Sequence, residues 1–227
     1  MRVAILFSGG KDSSFALYEA IKRGWEVVAL IAVKPKNTEA YLWHYATVEW
    51  TILSSEALGI PLFLIKCNKT GAKEEAKELE KVLKLIKIDA LLLGGVGLQK
   101  TQIREIARVA KKFGVKVIVP HEGMDHYELF KNAIKAGFEI VITQVASAGL
   151  GPEWLGKKVD LKTLEKLREM SEKYGFHIGF EGGYADTFVT NGPIFKKKIE
   201  FLDTEKVWDN KTHSGYLKVR NAKLIEK

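Results

Sequence analysis

The chain alternates between two hydrophobic patterns. Short apolar runs of strand length are separated by stretches whose apolar residues recur every three or four positions. Val3 to Phe7 is the first run, and Phe15, Leu17, Ala20 and Ile21 follow at helical spacing, with Gly24 as a stop. Glu26 to Val33 reads as a second buried strand, closed by the turn Lys34-Pro35-Lys36-Asn37. Residues 45–58 predict a helix ended by Gly59, and Pro61 to Ile65 predicts a third strand. Lys73 to Lys87 predicts one amphipathic helix with Ala76, Leu79, Leu83 and Ile86 near one face. Asp89 to Leu93 is the fourth strand and empties into Gly94-Gly95. A helix from about Thr101 to Phe113 then leads to a fifth strand, Val115 to Val119.

Five alternations of strand and helix predict an α/β fold, a parallel five-stranded sheet with helices on both faces. The strand order stays open. Ligands of such sheets bind outside the carboxyl ends of the strands. Three segments converge there: the turn after the first strand, the end of the second at Val33, and Gly94-Gly95. The rhythm changes near residue 125. A helix over Asp125 to Gly137, a strand over Phe138 to Val145 and a helix over 161–174 precede a region of strand and turn. Its strands are expected around Phe188, over Ile194 to Leu202, and from Tyr216 to Val219 and beyond. The expected organisation is therefore residues 1–125 and a smaller α+β part over residues 126–227.

Chemistry concentrates in the first turn, Ser8-Gly9-Gly10-Lys11-Asp12-Ser13. Two glycines permit a sharp turn and a close approach of backbone N–H groups to a ligand. The following helix N-terminus adds partial positive charge. Lys11 adds a full charge, and Ser8 and Ser13 add hydroxyls. The result is a cradle for an anion, phosphate above all. It lacks the spacing of a Walker P-loop. Asp12 would repel phosphates unless a cation lay between them, so it implies Mg2+.

The 227 residues are 46% hydrophobic, enough for a core, and carry a formal net charge of +8. That charge admits an anionic partner. Lys and Glu interleave, however, as in Lys73-Glu74-Glu75-Ala76-Lys77-Glu78, and read as a solvated surface. Cys67 is alone, so neither a disulfide framework nor a Cys-rich metal site is expected. No apolar run reaches transmembrane length, and the chain begins directly with a strand rather than a signal peptide. The expected setting is cytoplasmic, with no membrane partner. His121 and His126 flank Glu122 and Asp125, but the spacing is a poor match to a zinc site.

Other segments suit a pocket. Glu181-Gly182-Gly183-Tyr184-Ala185-Asp186-Thr187-Phe188 combines acids and glycines; Glu181 and Asp186 could hold a cation, an amine or ammonia. Tyr41-Leu42-Trp43-His44-Tyr45 is aromatic, with His44 as a candidate base or substrate contact. Gly97 to Gln102 follows the fourth strand, and Gly149 to Lys157 is a turn-rich linker. Lys196-Lys197-Lys198 is basic, but nucleic acid is not an expected partner; three lysines on a strand edge more often guard against aggregation.

Ser8 to Ser13 resembles the PP-loop of the N-type ATP pyrophosphatase superfamily. This resemblance implies the adenine nucleotide alpha-hydrolase-like (HUP) fold and cleavage of ATP between its α- and β-phosphates. By the same resemblance Ser8, Gly9, Gly10 and Ser13 hold pyrophosphate, Lys11 neutralises charge as it develops, and Asp12 helps place Mg2+. Val33 and Gly94 would belong to the nucleotide side. Over nearly the whole chain the sequence is similar to the diphthine–ammonia ligase branch. The shared features are the segment ending at His44, Gln102, Gly149-Leu150 with Glu153-Trp154-Leu155-Gly156, and Glu181-Gly182-Gly183 through Pro193-Ile194-Phe195. The resemblance implies that ATP adenylates a carboxylate, that of diphthine on translation elongation factor 2, and that ammonia displaces AMP. His44, Gln102, Glu181, Gly182, Gly183 and Asp186 would form the acceptor or ammonia site. A homodimer is a further expectation. The chain departs from the branch at Tyr184-Ala185-Asp186, at Thr101 and at Glu122. The alternatives are a PP-loop enzyme with another acceptor, such as tRNA, and a non-catalytic nucleotide-binding sensor.

Overall fold

The structure is a computed structural model that describes residues 1–36, 47–95 and 100–227. The first part contains strands β1 (Arg2–Leu6), β2 (Glu26–Pro35), β3 (Leu62–Cys67), β4 (Ala90–Leu93) and β5 (Lys116–Ile118). Between them lie helices α1 (Lys11–Lys22), α2 (Thr51–Leu58), α3 (Ala72–Lys77), α4 (Glu80–Leu83) and α5 (Lys100–Lys111). The strands are parallel, in the order β3-β2-β1-β4-β5. Strand alternation sorts the apolar residues onto two faces. Val3, Ile5, Leu30 and Leu92 join a cluster with Leu17 of α1 and Ala57 of α2. Ala4, Ile31, Val33 and Leu91 join another with Ala76, Leu83 and Ile106 from α3, α4 and α5. Helices thus cover both faces, as the strand–helix alternation predicts.

The helix expected over Lys73 to Lys87 is two short helices, α3 and α4. Around the break the backbone bonds three residues back, Leu79 N to Ala76 O and Val82 N to Leu79 O. That is 3₁₀ winding, with three residues per turn. Ala76, Leu79 and Val82 recur at that spacing, so the tighter coil keeps all three buried. The helix expected over 45–58 opens as a 3₁₀ turn, Val48–Trp50, before α2.

The second part contains α6 (His126–Lys135), β6 (Glu139–Val145), β7 (Lys158–Val159), α7 (Leu161–Tyr174), β8 (Ala185–Asn191), β9 (Lys198–Asp209) and β10 (Ser214–Ile225). Asp125 caps α6 by accepting from Glu128 N at 2.9 Å, and Asp160 caps α7 by accepting from Thr163 N at 2.7 Å. These five strands form an antiparallel sheet centred on β6, which pairs with β7, β8 and β10, while β9 pairs with β10. The β9–β10 hairpin is longer than expected from sequence. Its register shifts on either side of Asn221. Leu217 and Val219 face the core before the shift, and Ala222 and Leu224 after it. The bulge changes the parity of the apolar positions, so a period-two reading carries the strand beyond Val219 without fixing its end.

The two sheets share one apolar cluster, in which Ile5, Leu17 and Leu92 meet Ile140, Phe188 and Val219. Glu139 ties the second sheet together. It accepts from Lys158 on β7, Asn191 on β8 and Lys198 on β9 at 2.8–3.1 Å. Lys197 pairs with Glu226, so two residues of the basic run serve internal contacts. No helix among the described residues is long and apolar enough to cross a membrane.

Candidate active site

Chain order reverses between β1 and β4: β2 and β3 lie to one side of β1, and β5 lies beyond β4. A crevice is expected at the carboxyl ends of two strands that part in this way. A cleft of about 1020 Å3, its open mouth included, lies there. Its walls come from both parts of the chain. Ser8, Gly10, Lys11, Asp12 and Ser13 line it beside Val33, Gly94 and Gly95, with Phe180, Glu181, Asp186 and Thr187 from the second part.

The Ser8–Ser13 loop is held by its own atoms and by β8. Ser8 Oγ accepts from Gly10 N at 3.3 Å and lies 3.3 Å from Ser13 Oγ. Ser13 Oγ donates to Gly10 O at 3.2 Å. Gly9 O accepts from Val189 N at 2.8 Å, and Thr187 Oγ1 accepts from Lys11 N at 3.1 Å. Gly9 has φ +80°, and a Cβ there would fall 2.6 Å from the Phe188 ring. It is required by the packing of the two parts as well as by the turn. Gly94 has another reason to be glycine: a Cβ would lie 2.4 Å from Ser13 Cα. It lets the end of β4 touch the first turn of α1. That helix begins at Gly10 with no side-chain cap.

Lys11 is only 5% exposed. Its Nζ donates to Asp12 Oδ2 and to Gly179 O, both at 2.7 Å. The rings of Phe130 and Phe180 lie 5.2 and 5.8 Å from it. Sequence reading placed Lys11 in the site but did not find Gly179, Phe180 or Phe130. A backbone carbonyl has no residue signature, and Phe130 sits on an amphipathic helix where an aromatic reads as core. Thr187 carried a signal, because it lies inside the Glu181–Phe188 stretch.

Of the second part, Glu181 and Asp186 line the cleft; of the first, Val33 lines it at the end of β2. Gly182 and Gly183 do not line it. Their φ values of +87° and +83°, with open space or only the Tyr184 ring nearby, show that the turn itself calls for glycine at both positions. Gln102 lies on α5 one turn before Ile106; Ile106 lines the cleft and Gln102 does not. His44, with Tyr41 to Tyr45, and Gly97 to Gln99 lie outside the described residues.

Three histidines lie behind the site. His177 Nδ1 accepts from Gly179 N at 3.2 Å, and the His126 ring packs edge-on at 4.3 Å. Burial lowers the His177 pKa, and the neighbouring His126 adds to the effect. His121 is 1% exposed and stacks on Phe15 at 5.3 Å. Burial lowers its pKa as well, against the opposing pull of Asp12. Among the described residues no three His, Cys, Asp or Glu side chains are grouped to hold a metal ion. A single carboxylate such as Asp12 is compatible with Mg2+, which takes one or two carboxylates and completes its shell with substrate phosphates and water.

The diphthamide synthase N-terminal domain matches residues 1–117, and the diphthamide synthase C-terminal domain matches residues 125–225. A diphthine–ammonia ligase of Bos taurus is 30% identical over 237 residues, covering 95% of this chain and 86% of its own. The mouse protein of the same name is 29% identical over 252 residues, covering 100% and 94%. A solved structure, a predicted subunit of a tRNA methyltransferase from Methanocaldococcus jannaschii, aligns over 85% of this chain and 98% of its own, with 16% identity and a TM-score of 0.44. Both family domains in order, and relatives similar along nearly their full length, show that the chain belongs to the diphthamide synthase family of ATP-dependent ligases.

Proposed function

We propose that this protein is a diphthine–ammonia ligase that converts the carboxylate of diphthine on translation elongation factor 2 to the amide, with ATP cleaved to AMP and pyrophosphate. The observation that carries the reading is the composition of one cleft. The Ser8–Ser13 loop and Lys11 line it from residues 1–125, and Glu181 and Asp186 line it from residues 126–227. We read the first part as the ATP-binding domain and the second as the acceptor-binding domain.

The loop end suits phosphate, because the loop runs into the N-terminus of α1, whose partial positive charge favours an anion. A carboxylate oxygen of the acceptor attacks the α-phosphorus, and the bond from that phosphorus to the bridging oxygen breaks. Negative charge gathers on the leaving pyrophosphate, where Lys11 and the loop stabilise it. Asp12 would hold Mg2+, which supplies further charge neutralisation when bound. Ammonia then attacks the acyl carbon, AMP leaves, and the nitrogen loses its excess proton. Glu181 and Asp186 are suited to hold ammonia and take that proton, while Val33 flanks the adenine. Gln102 and His44 belong to the acceptor side in this reading. The test is incubation with Mg-ATP, ammonium and diphthine-bearing elongation factor. AMP, pyrophosphate and an amidated acceptor are expected; AMP without amidation would overturn the choice of acceptor.

A further inference from the structure

Phe180 has φ +64°. Bulky side chains are outliers in that region, and such outliers persist where their surroundings fix them, often at functional positions. Two residues later the same turn uses glycine for positive φ, at Gly182 and Gly183. The phenylalanine is therefore not what the backbone alone selects. Its ring is buried, packs edge-on against Phe130 with centroids 5.8 Å apart, and lies 5.8 Å from Lys11 Nζ. Phe130 is 5.2 Å from the same atom, and Gly179 O accepts from it at 2.7 Å. That carbonyl is itself backed. Gly179 N donates to His177, and a Cβ on Gly179 would fall 2.6 Å from His126 Nδ1.

We propose that Phe180 is a positioning residue for the ATP half-reaction: its left-handed backbone sets its ring beside Phe130, and the two rings with the Gly179 carbonyl hold the Lys11 ammonium at the loop end of the cleft. The proposal rests on the reading of Lys11 as the group that meets the leaving pyrophosphate. Aromatic faces attract a cation without contributing an acceptor oxygen. Among the described residues, Asp12 and Gly179 take two of the three ammonium N–H groups, which leaves one for phosphate. The turn that fixes Lys11 continues directly into Glu181, on the acceptor side of the cleft. The acceptor half of the site thereby sets the geometry of the ATP half.

The experiment compares Phe180→Leu, Phe180→Tyr and Phe130→Leu with the wild type in the full reaction, measuring pyrophosphate release and the thermal midpoint. Leucine keeps apolar bulk and removes the ring face; tyrosine keeps the ring. The expected result for Phe180→Leu is kcat lowered about five- to thirtyfold, the range a desolvated cation–π contact spans, with KM for ATP changed less than about twofold. Phe130→Leu lowers kcat in the same direction, and Phe180→Tyr restores it. A purely structural role would lower the yield of folded protein or the midpoint and leave kcat per folded molecule unchanged. Wild-type kcat in Phe180→Leu, or an equal loss in Phe180→Tyr, overturns the positioning role while the ligase reading stands. A wild-type protein that forms ADP instead of AMP overturns the ligase reading and this proposal with it.

Discussion

Lys11 Nζ donates to the carbonyl oxygen of Gly179 at 2.7 Å, across 168 residues of sequence. The lysine belongs to the Ser8–Ser13 loop and the carbonyl to the turn that carries Glu181. This contact makes the cleft a joint product of both parts of the chain.

Lys11→Ala removes the only side-chain ammonium of the loop from the site. Loss of a preorganised group that meets developing charge typically costs a hundredfold or more in rate. Turnover should fall by at least about a hundredfold while the protein still unfolds in one cooperative transition. Turnover within about threefold of wild type would remove Lys11 from the chemistry.

Gly94→Ala places a methyl group 2.4 Å from Ser13 Cα and 2.5 Å from Ser13 N. Both are backbone atoms, so β4 and α1 must move apart. Overpacking of this kind costs about 1–3 kcal/mol. A lower thermal midpoint and weaker ATP binding are expected together, because Ser13 belongs to the loop. Unchanged ATP affinity would separate Gly94 from the nucleotide site.

Both outcomes depend on how the chain folds, and that was only partly legible. Buried strands such as Leu91–Leu93, and helices ended by Gly24 and Gly114, gave distinct periods, so the α/β part could be read. The break between α3 and α4 could not, because Ala76, Leu79, Leu83 and Ile86 fit one α-helical face and mask the three-residue spacing of Ala76, Leu79 and Val82. The bulge at Asn221 reverses the parity of β10, so the expected continuation beyond Val219 had no defined end. In the site, Ser8–Ser13 and Glu181–Asp186 were visible through their residue types. Gly179 O was not, since any residue supplies a carbonyl. Gly182 and Gly183 were visible by composition, and their positive φ shows the turn that needs them.

Glu139 gives the second sheet a specific acid response. Burial raises its pKa, but hydrogen bonds from Lys198, Asn191 and Lys158 overcome this and hold it at about 2, below the usual 4.5. A depressed folded pKa contributes stability that is full above the unfolded value and is lost as pH falls toward the folded one. The contribution is about 2–3 kcal/mol above pH 5 and fades between about pH 4.5 and 2. Glu139→Gln should lower the thermal midpoint at neutral pH, with the gap to wild type closing on acidification. A gap that stays constant down to pH 2 would contradict this assignment.

Asp186→Ala separates the two half-reactions. Asp186 lines the cleft on the side of the second part, next to Thr187, whose hydroxyl accepts from Lys11 N. Amidation should fall at least about tenfold, a typical scale for losing a proton acceptor or its positioning, while ATP affinity changes less than about threefold. Equal losses in both would place Asp186 on the nucleotide side.

The central claim is that the acceptor carboxylate attacks the α-phosphorus of ATP in this cleft. A heavy-oxygen label in the diphthine carboxylate tests it most directly, with the products of a full reaction resolved by mass. The account predicts one labelled oxygen in AMP and none in pyrophosphate. Label in inorganic phosphate, with ADP as the nucleotide product, would contradict it.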